Sequence, residues 1–145
     1  MSEDDVARLV DEGFVRYAEP DLDAARRDLA TAKAHLESSG SLASQDPVAA
    51  FAIAYDAARK AISAHTRASG FRVGKGHGAH ARVGLYAAAA LTDLGIDDQL
   101  EQYDDLRRLR NQFEYDALLV SEADVDDALA QATAIVAAVE RDLGR

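Results

Sequence analysis

The sequence has no cysteine and no tryptophan, and its 145 residues include only two prolines and one methionine. The absence of cysteine excludes disulfide scaffolds, iron–sulfur clusters, thiolate zinc sites and cysteine nucleophiles. Long apolar runs are also lacking: the longest, Val48 to Tyr55, has eight residues, whereas a membrane span needs about 20. The acidic first residues differ from the basic start of a secretory signal. We therefore expect a soluble, cytoplasmic protein without membrane contact.

The residues that are abundant favour helices. Alanine, the best helix former, occupies 31 positions, and no stretch alternates at period two as a strand would. We therefore predict an all-α protein without strands, formed by a single domain over residues 1–145. Apolar spacings of three and four predict helices over about residues 4–18, 21–38, 47–68, 79–94, 98–118 and 122–143. Short connections favour an up-and-down bundle of four long helices with one or two short helices.

Local signals mark the ends of several of these helices. Asp46 followed by Pro47 is typical of a helix start, and Ser121 with Asp124 three residues later resembles a capping box. Gly95 is placed to end the fourth helix. The run Ser38-Ser39-Gly40-Ser41 predicts that the second helix has stopped.

Positive charge is concentrated in one part of an acidic chain. The formal net charge is -10, yet residues 57–92 contain no acid and carry a net charge of +6. A local basic segment can hold phosphates even in an acidic protein. Arg72 and Lys75 in this segment, and Arg107 on the fifth helix, are therefore candidate RNA- or phosphate-binding residues. Pairing with an acidic face of a second subunit explains the same charge equally well.

Several familiar kinds of site are not supported. The glycine-rich residues 70–78 lack the spacing and the following Ser or Thr of a Walker loop, and a helix rather than a strand precedes them. His77 and His80 have no carboxylate nearby in the sequence to complete a metal site. No Gly-x-Ser-x-Gly elbow supports serine catalysis. We expect neither a metal site nor a cofactor.

The fifth helix carries one unusual basic residue. Arg110 follows Tyr103 by seven residues and Leu106 by four, so it lies near the apolar face of the helix. A guanidinium in that place needs a partner, because burying an unpaired charge is costly. The partner is either Glu114 one turn later, a phosphate, or a carboxylate of another subunit.

Three stretches together, in this order, resemble the HEPN family (higher eukaryotes and prokaryotes nucleotide-binding domains). They are residues 54–72, then Gly78-Ala79-His80, then residues 109–116, which begin Leu109-Arg110-Asn111. The resemblance covers about residues 45–140. It is closest to the small bacterial branch whose last motif reads Arg-Asn followed by an aromatic residue.

The resemblance implies a helical bundle that dimerises through the helices bearing the arginine motif. In active members, an Arg and a His with four to six residues between them, from each protomer, form a metal-independent ribonuclease site at the dimer interface. Many members are toxins neutralised by a nucleotidyltransferase-like antitoxin. Arg110 and Asn111 match the start of the motif, but Tyr115 stands at the shortest spacing where the histidine is expected. Tyrosine, with a pKa of about 10, is a poor substitute for a histidine of about 6.5.

These observations leave three hypotheses. The first is a catalytically degenerate HEPN-like homodimer that binds a nucleotidyltransferase-like protein partner, or a nucleotide or RNA. The second is a ribonuclease toxin whose candidate catalytic residues are Arg110 and Asn111 with Tyr115 or His80. The third is a purely structural interaction module in which Arg110 only pairs with Glu114.

Overall fold

The computed structural model describes residues 2–115 and 120–144, without the side chains of residues 114 and 115. The regular secondary structure of the described chain is helical apart from one short ribbon, which confirms the prediction of an all-α fold. No helix in this described part is long and apolar enough to cross a membrane. The elements in order are α1 (Glu3–Asp11), β1 (Val15–Tyr17), α2 (Leu22–Leu42), α3 (Pro47–Ala68), β2 (Phe71–Val73), α4 (Ala79–Ala90), α5 (Asp97–Tyr115) and α6 (Glu122–Leu143).

Side-chain caps begin several helices where the sequence predicts them. Asp46 accepts a hydrogen bond from the amide of Ala49, and Pro47 occupies the first turn of α3. Before α6, the Ser121 amide donates to the Asp124 carboxylate at 3.0 Å, and the Asp124 amide donates to the Ser121 hydroxyl at 3.1 Å. The predicted start of α3 and the predicted capping box are both confirmed, because these caps depend only on neighbouring residues.

The first predicted helix is too long, and the prediction of no strands is wrong. The helix ends at Asp11, and Gly13 turns the chain at φ +78°. The next residues form β1, which pairs antiparallel with β2 so that Val15 faces Val73. The partner lies more than 50 residues away in the sequence, so periodicity within one segment could not reveal the pairing.

The second helix is longer than predicted. It continues through Ser38-Ser39-Gly40-Ser41 to Leu42, and Ser39 is fully buried. The Ser39 hydroxyl donates to the Ala50 carbonyl of α3 at 2.7 Å. Tertiary contact with α3 thus overrides the local stop signal. The fourth predicted helix is also shorter than expected: α4 ends at Ala90 rather than near residue 94.

The long helix α3 is the centre of the bundle. It packs against α2, α4, α5 and α6. Its buried side chains are mostly alanine, which lets the neighbouring backbones approach closely. Phe51, Tyr55 and Ile62 are the large residues that fill the space among them. Near its C-terminal end, α3 also carries two polar residues into the core, His65 and Thr66.

His65, near the end of α3, connects α3 to α4 and α6. Its Nδ1 lies 2.9 Å from the Tyr86 hydroxyl and its Nε2 lies 3.0 Å from the Asp142 carboxylate. The Asp142 carboxylate only accepts, so Nε2 carries the proton that is donated to it. In the neutral ring Nδ1 is then the acceptor, and the Tyr86 hydroxyl, whose pKa burial raises to about 12, donates to it. Burial lowers the pKa of His65, although the nearby Asp142 charge opposes this shift.

The free energy of unfolding is expected to rise with pH just below the ordinary histidine pKa of about 6.5. His65 and His80 both have lowered pKa values in the folded chain. The folded chain therefore binds fewer protons than the unfolded chain in that interval, so stability is complete above it and is lost as the pH falls. Urea unfolding between about pH 5 and 7.5 measures this slope. We expect His65→Gln to reduce the slope. If His65→Gln keeps the full slope, the pKa of His65 is not lowered in the folded chain.

Candidate functional site

Three helices meet around the side chain of His80. Tyr55 lies on α3, and His80 lies in the first turn of α4. From α5 come Tyr103, Arg107, Arg110 and Asn111, whose spacing places them on one face of the helix. Residues from the three stretches that carry the HEPN resemblance are thus brought together by the packing of α3, α4 and α5.

A chain of hydrogen bonds holds the His80 ring. The Tyr103 hydroxyl donates to the Tyr55 hydroxyl at 3.5 Å, and the Tyr55 hydroxyl lies 3.1 Å from Nδ1 of His80. Burial raises the pKa of both tyrosines, so both hydroxyls keep their protons at neutral pH. A hydroxyl both donates and accepts, so Tyr55 satisfies Nδ1 in either neutral tautomer. The ring is oriented through Nδ1, and Nε2 makes no hydrogen bond to any described residue.

The surroundings of His80 favour the neutral form of its imidazole. Burial lowers its pKa below the ordinary histidine value, and the positive charges of Arg59 and Arg110 lower it further. Asp56 opposes these effects. A lowered pKa also makes the imidazole a weaker base. It therefore accepts a proton readily only from a group that has become more acidic, for example by contact with the same arginines.

Arg110 lies against the aromatic part of this cluster. Its guanidinium carbon is 5.9 Å from the centre of the Tyr55 ring, within the range of a cation–π contact. The prediction that Arg110 points near the buried face is therefore confirmed. The side chains of Glu114 and Tyr115 lie outside the described residues, so the predicted Arg110–Glu114 pair and the role of Tyr115 stay predictions.

A cleft of about 430 Å³ opens beside His80, between the first turn of α4 and α5. We call it the His80 cleft. Its lining residues are Gly76, His77, Gly78, Ala79, His80, Ala81, Arg107 and Asn111. Arg107 also pairs with Asp104 at 2.9 Å, which holds its guanidinium in place. Within the described residues, no three His, Asp or Glu side chains are grouped as metal ligands would be.

A second cleft, of about 360 Å³, lies between α3 and the glycine-rich loop. We call it the Arg59 cleft. Its lining residues are Arg59, Ser63, Val73, Gly74, Lys75, Gly76, Ala79, His80 and Val83. Gly76, Ala79 and His80 line both clefts, so His80 stands at their junction.

The structure gathers most of the predicted site residues but separates one. His80, Arg107 and Asn111 share the His80 cleft, Arg110 lies beside it, and Lys75 lines the Arg59 cleft. Arg72 instead lies on β2, where its guanidinium donates to the carbonyls of Phe71 and Glu19 at 2.6 and 3.2 Å. In this position it stabilises the ribbon.

Sequence reasoning missed the residues that α3 contributes. Tyr55 and Tyr103 occupy apolar faces of their helices, where an aromatic residue is most often part of the core. Arg59 and Ser63 lie on the same helix as Tyr55. Arg59 was considered only as part of the basic segment and of the family resemblance, and Ser63 was not singled out. Only the spacing of four that links Tyr55, Arg59 and Ser63 marks them as one face.

Comparison with known proteins identifies the family of the chain. No significant match was found among curated proteins or among solved structures. The family model described as "HEPN domain" matches residues 14–142, which include every helix that forms the two clefts. The match covers most of the chain, so this protein belongs to the HEPN family.

Proposed function

We propose that this HEPN domain binds RNA by its phosphates in the His80 cleft and cleaves it without a metal ion. One observation carries the proposal: His80 lies in the same cleft as Arg107 and Asn111, with Arg110 beside it. The motif on α5 has no histidine of its own, and His80 supplies an imidazole from α4. The proposal that the cleft binds RNA rests on the charge and shape of the cleft. The proposal that it cleaves RNA rests on the imidazole of His80.

Charge favours a phosphate at this place in spite of the acidic chain. Arg107 and Arg110 both act on His80 as positive charges, so both are near the cleft. Arg107 keeps one acidic partner, Asp104, which it shares with Arg108. Arginine offers several fixed donors, which suits the planar arrangement of two phosphate oxygens. Asn111 adds an amide that donates and accepts.

The proposed reaction breaks one phosphodiester bond of RNA. Neutral His80 accepts the proton of the 2′-hydroxyl, and O2′ attacks the adjacent phosphorus. The P–O5′ bond breaks as the new bond forms, leaving a 2′,3′-cyclic phosphate on one product. The departing O5′ takes a proton from water or from the imidazolium. Arg107 and Arg110 stabilise the additional negative charge on the phosphate oxygens in the transition state.

We also propose that the chain acts as a homodimer through the helices that carry the site. Leu85 on α4 and Leu109 on α5 are large apolar side chains that are 46% and 39% exposed. Apolar residues on these two helices suit an interface between protomers. Such a dimer would bring the Arg110 motifs of two protomers close to each other. A strict monomer in gel filtration at micromolar concentration would contradict this part.

A second candidate function is a catalytically silent dimer that binds a nucleotidyltransferase-like protein partner. The observation that favours it is Tyr115, which stands where the motif of active members has histidine. On this view Arg110 binds or supports the fold, and the toxin role of related proteins does not extend to this chain. RNA cleavage that depends on His80 would exclude it.

The binding part is tested by replacing one of two neighbouring arginines. Arg107→Ala is expected to weaken binding of a 2′-O-methyl oligoribonucleotide by about tenfold, because a charged hydrogen bond to phosphate contributes roughly 1.5 kcal/mol or more. Arg108→Ala is the matched control, since Arg108 contacts the same Asp104 but does not line the cleft. Fluorescence anisotropy at several salt concentrations measures both variants. Equal losses in the two variants would mean that the His80 cleft is not the binding site.

A further inference from the structure

The Arg59 cleft contains a hydroxyl that its own helix does not use. Ser and Thr side chains inside helices often donate to the carbonyl four residues earlier. Thr66 does this on the same helix, donating to the Ile62 carbonyl at 2.8 Å. Ser63 lines the cleft and makes no such bond to any described residue. Its hydroxyl is therefore available to a group that enters the cleft.

The two basic side chains of the cleft are only partly compensated. Arg59 Nε lies 3.5 Å from the Asp56 carboxylate in an ion pair, but this buried nitrogen makes no hydrogen bond to any described residue. Lys75 forms no ion pair with any residue of the described part of the chain. By comparison, Arg67 in the same basic segment pairs closely with Asp28 at 2.9 Å. The cleft therefore carries positive charge that the fold itself does not neutralise.

The backbone at the mouth of the cleft adds to this charge. Helix α4 begins there, and no side chain caps its first turn. Gly78 precedes the helix at φ +81°, a conformation that glycine adopts without strain. The Ala79 amide donates to the Gly76 carbonyl at 3.1 Å, but the amides that follow it in the first turn lack intrahelical acceptors and attract anions. His80 belongs to this turn and lines the same cavity as Arg59, Ser63 and Lys75.

We infer that the Arg59 cleft is a second phosphate subsite, which holds the phosphate next to the one bound at His80. The inference rests on the proposed function, because the two clefts share Gly76, Ala79 and His80. A ligand that fills both clefts needs two phosphates. They are joined either through one nucleoside, as in RNA, or directly to each other, as in a nucleoside diphosphate. Its chemical class is an oligoribonucleotide with at least two phosphates, or a nucleoside polyphosphate. Ser63 and Lys75 would select such ligands over those with a single phosphate.

Two pairs of ligands test this subsite, and in each pair the larger ligand has one more phosphate. We would compare a 2′-O-methyl dinucleotide with the trinucleotide, and AMP with ADP, by calorimetric titration at one ionic strength. The second phosphate is expected to increase the affinity of the wild-type protein by about tenfold in at least one pair, since a charged contact to phosphate is worth that much. Ser63→Ala and Lys75→Ala should each reduce that gain. Lys60→Ala, which removes an equal charge on α3 outside the cleft lining, should keep it.

The possible outcomes show whether the subsite, the proposed function or both are wrong. A gain for the trinucleotide identifies RNA as the ligand, whereas a gain for ADP identifies a nucleoside polyphosphate. If the dinucleotide binds but a second phosphate adds nothing in either pair, the subsite is wrong and the proposed function stands. A gain that Ser63→Ala and Lys75→Ala both retain also overturns the subsite. If none of the four ligands binds, the proposed function fails and the subsite fails with it.

Discussion

RNA cleavage in the presence of EDTA is expected to fall by roughly 100- to 10,000-fold when His80 is replaced by alanine, the range typical of losing a general base. The physical reason is that His80 supplies the imidazole of the His80 cleft, and its lowered pKa keeps that imidazole neutral and able to accept a proton. For the same reason cleavage should rise with pH through the interval just below about 6.5 and then level off. A mixed RNA pool, analysed on a denaturing gel over time, measures the rate.

Two further variants make this result specific. His77→Ala removes the other histidine that lines the cleft, and we expect it to keep most of the activity because His77 has no partner that orients its ring among the described residues. Tyr55→Phe removes only the hydroxyl that holds Nδ1. It should lower the rate less than His80→Ala and leave RNA binding nearly unchanged. Equal activity of His80→Ala and wild type, with both folded by circular dichroism, would contradict the catalytic proposal and favour the silent dimer.

Phe51→Ala is expected to lower the free energy of unfolding by about 3–5 kcal/mol, as other large-to-small aromatic changes in cores do. Phe51 is 2% exposed on α3, and its ring meets the ring of Phe113 on α5 edge to face, with centres 5.0 Å apart. The substitution therefore leaves a cavity at the centre of the bundle and removes a contact that positions α5. Many domains have only about 5–15 kcal/mol of stability in total.

A neighbouring position on the same helix provides the control. Val48 lies three residues before Phe51 and is 40% exposed. Val48→Ala should change the free energy of unfolding by less than about 0.5 kcal/mol, since surface changes usually have small effects. Urea unfolding followed by circular dichroism at neutral pH compares both variants with the wild type. A loss below about 1 kcal/mol for Phe51→Ala would mean that α3 is not the centre of the core.

The motifs in the sequence were sufficient to identify the family, yet they left the catalytic group open. Arg110 and Asn111 could be found because they are adjacent in a motif. His80 could be named as a candidate, but the sequence could not show that it lies close to α5. About 30 residues of chain separate His80 from Arg110. The contribution of α3 to the site, through Tyr55, Arg59 and Ser63, was not predicted.

The sequence by itself determined the features that depend on near neighbours. Its alanine content and periodicity specified helices, and the caps at Asp46 and Ser121 specified where two of them begin. Tertiary structure decided the rest. Pairing between distant segments formed the ribbon of β1 and β2. Contact with α3 allowed α2 to continue past Gly40, where the sequence predicted its end. Packing of three helices placed His80 beside Arg107 at the junction of two clefts. Such contacts join residues far apart in the sequence, so no local pattern encodes them.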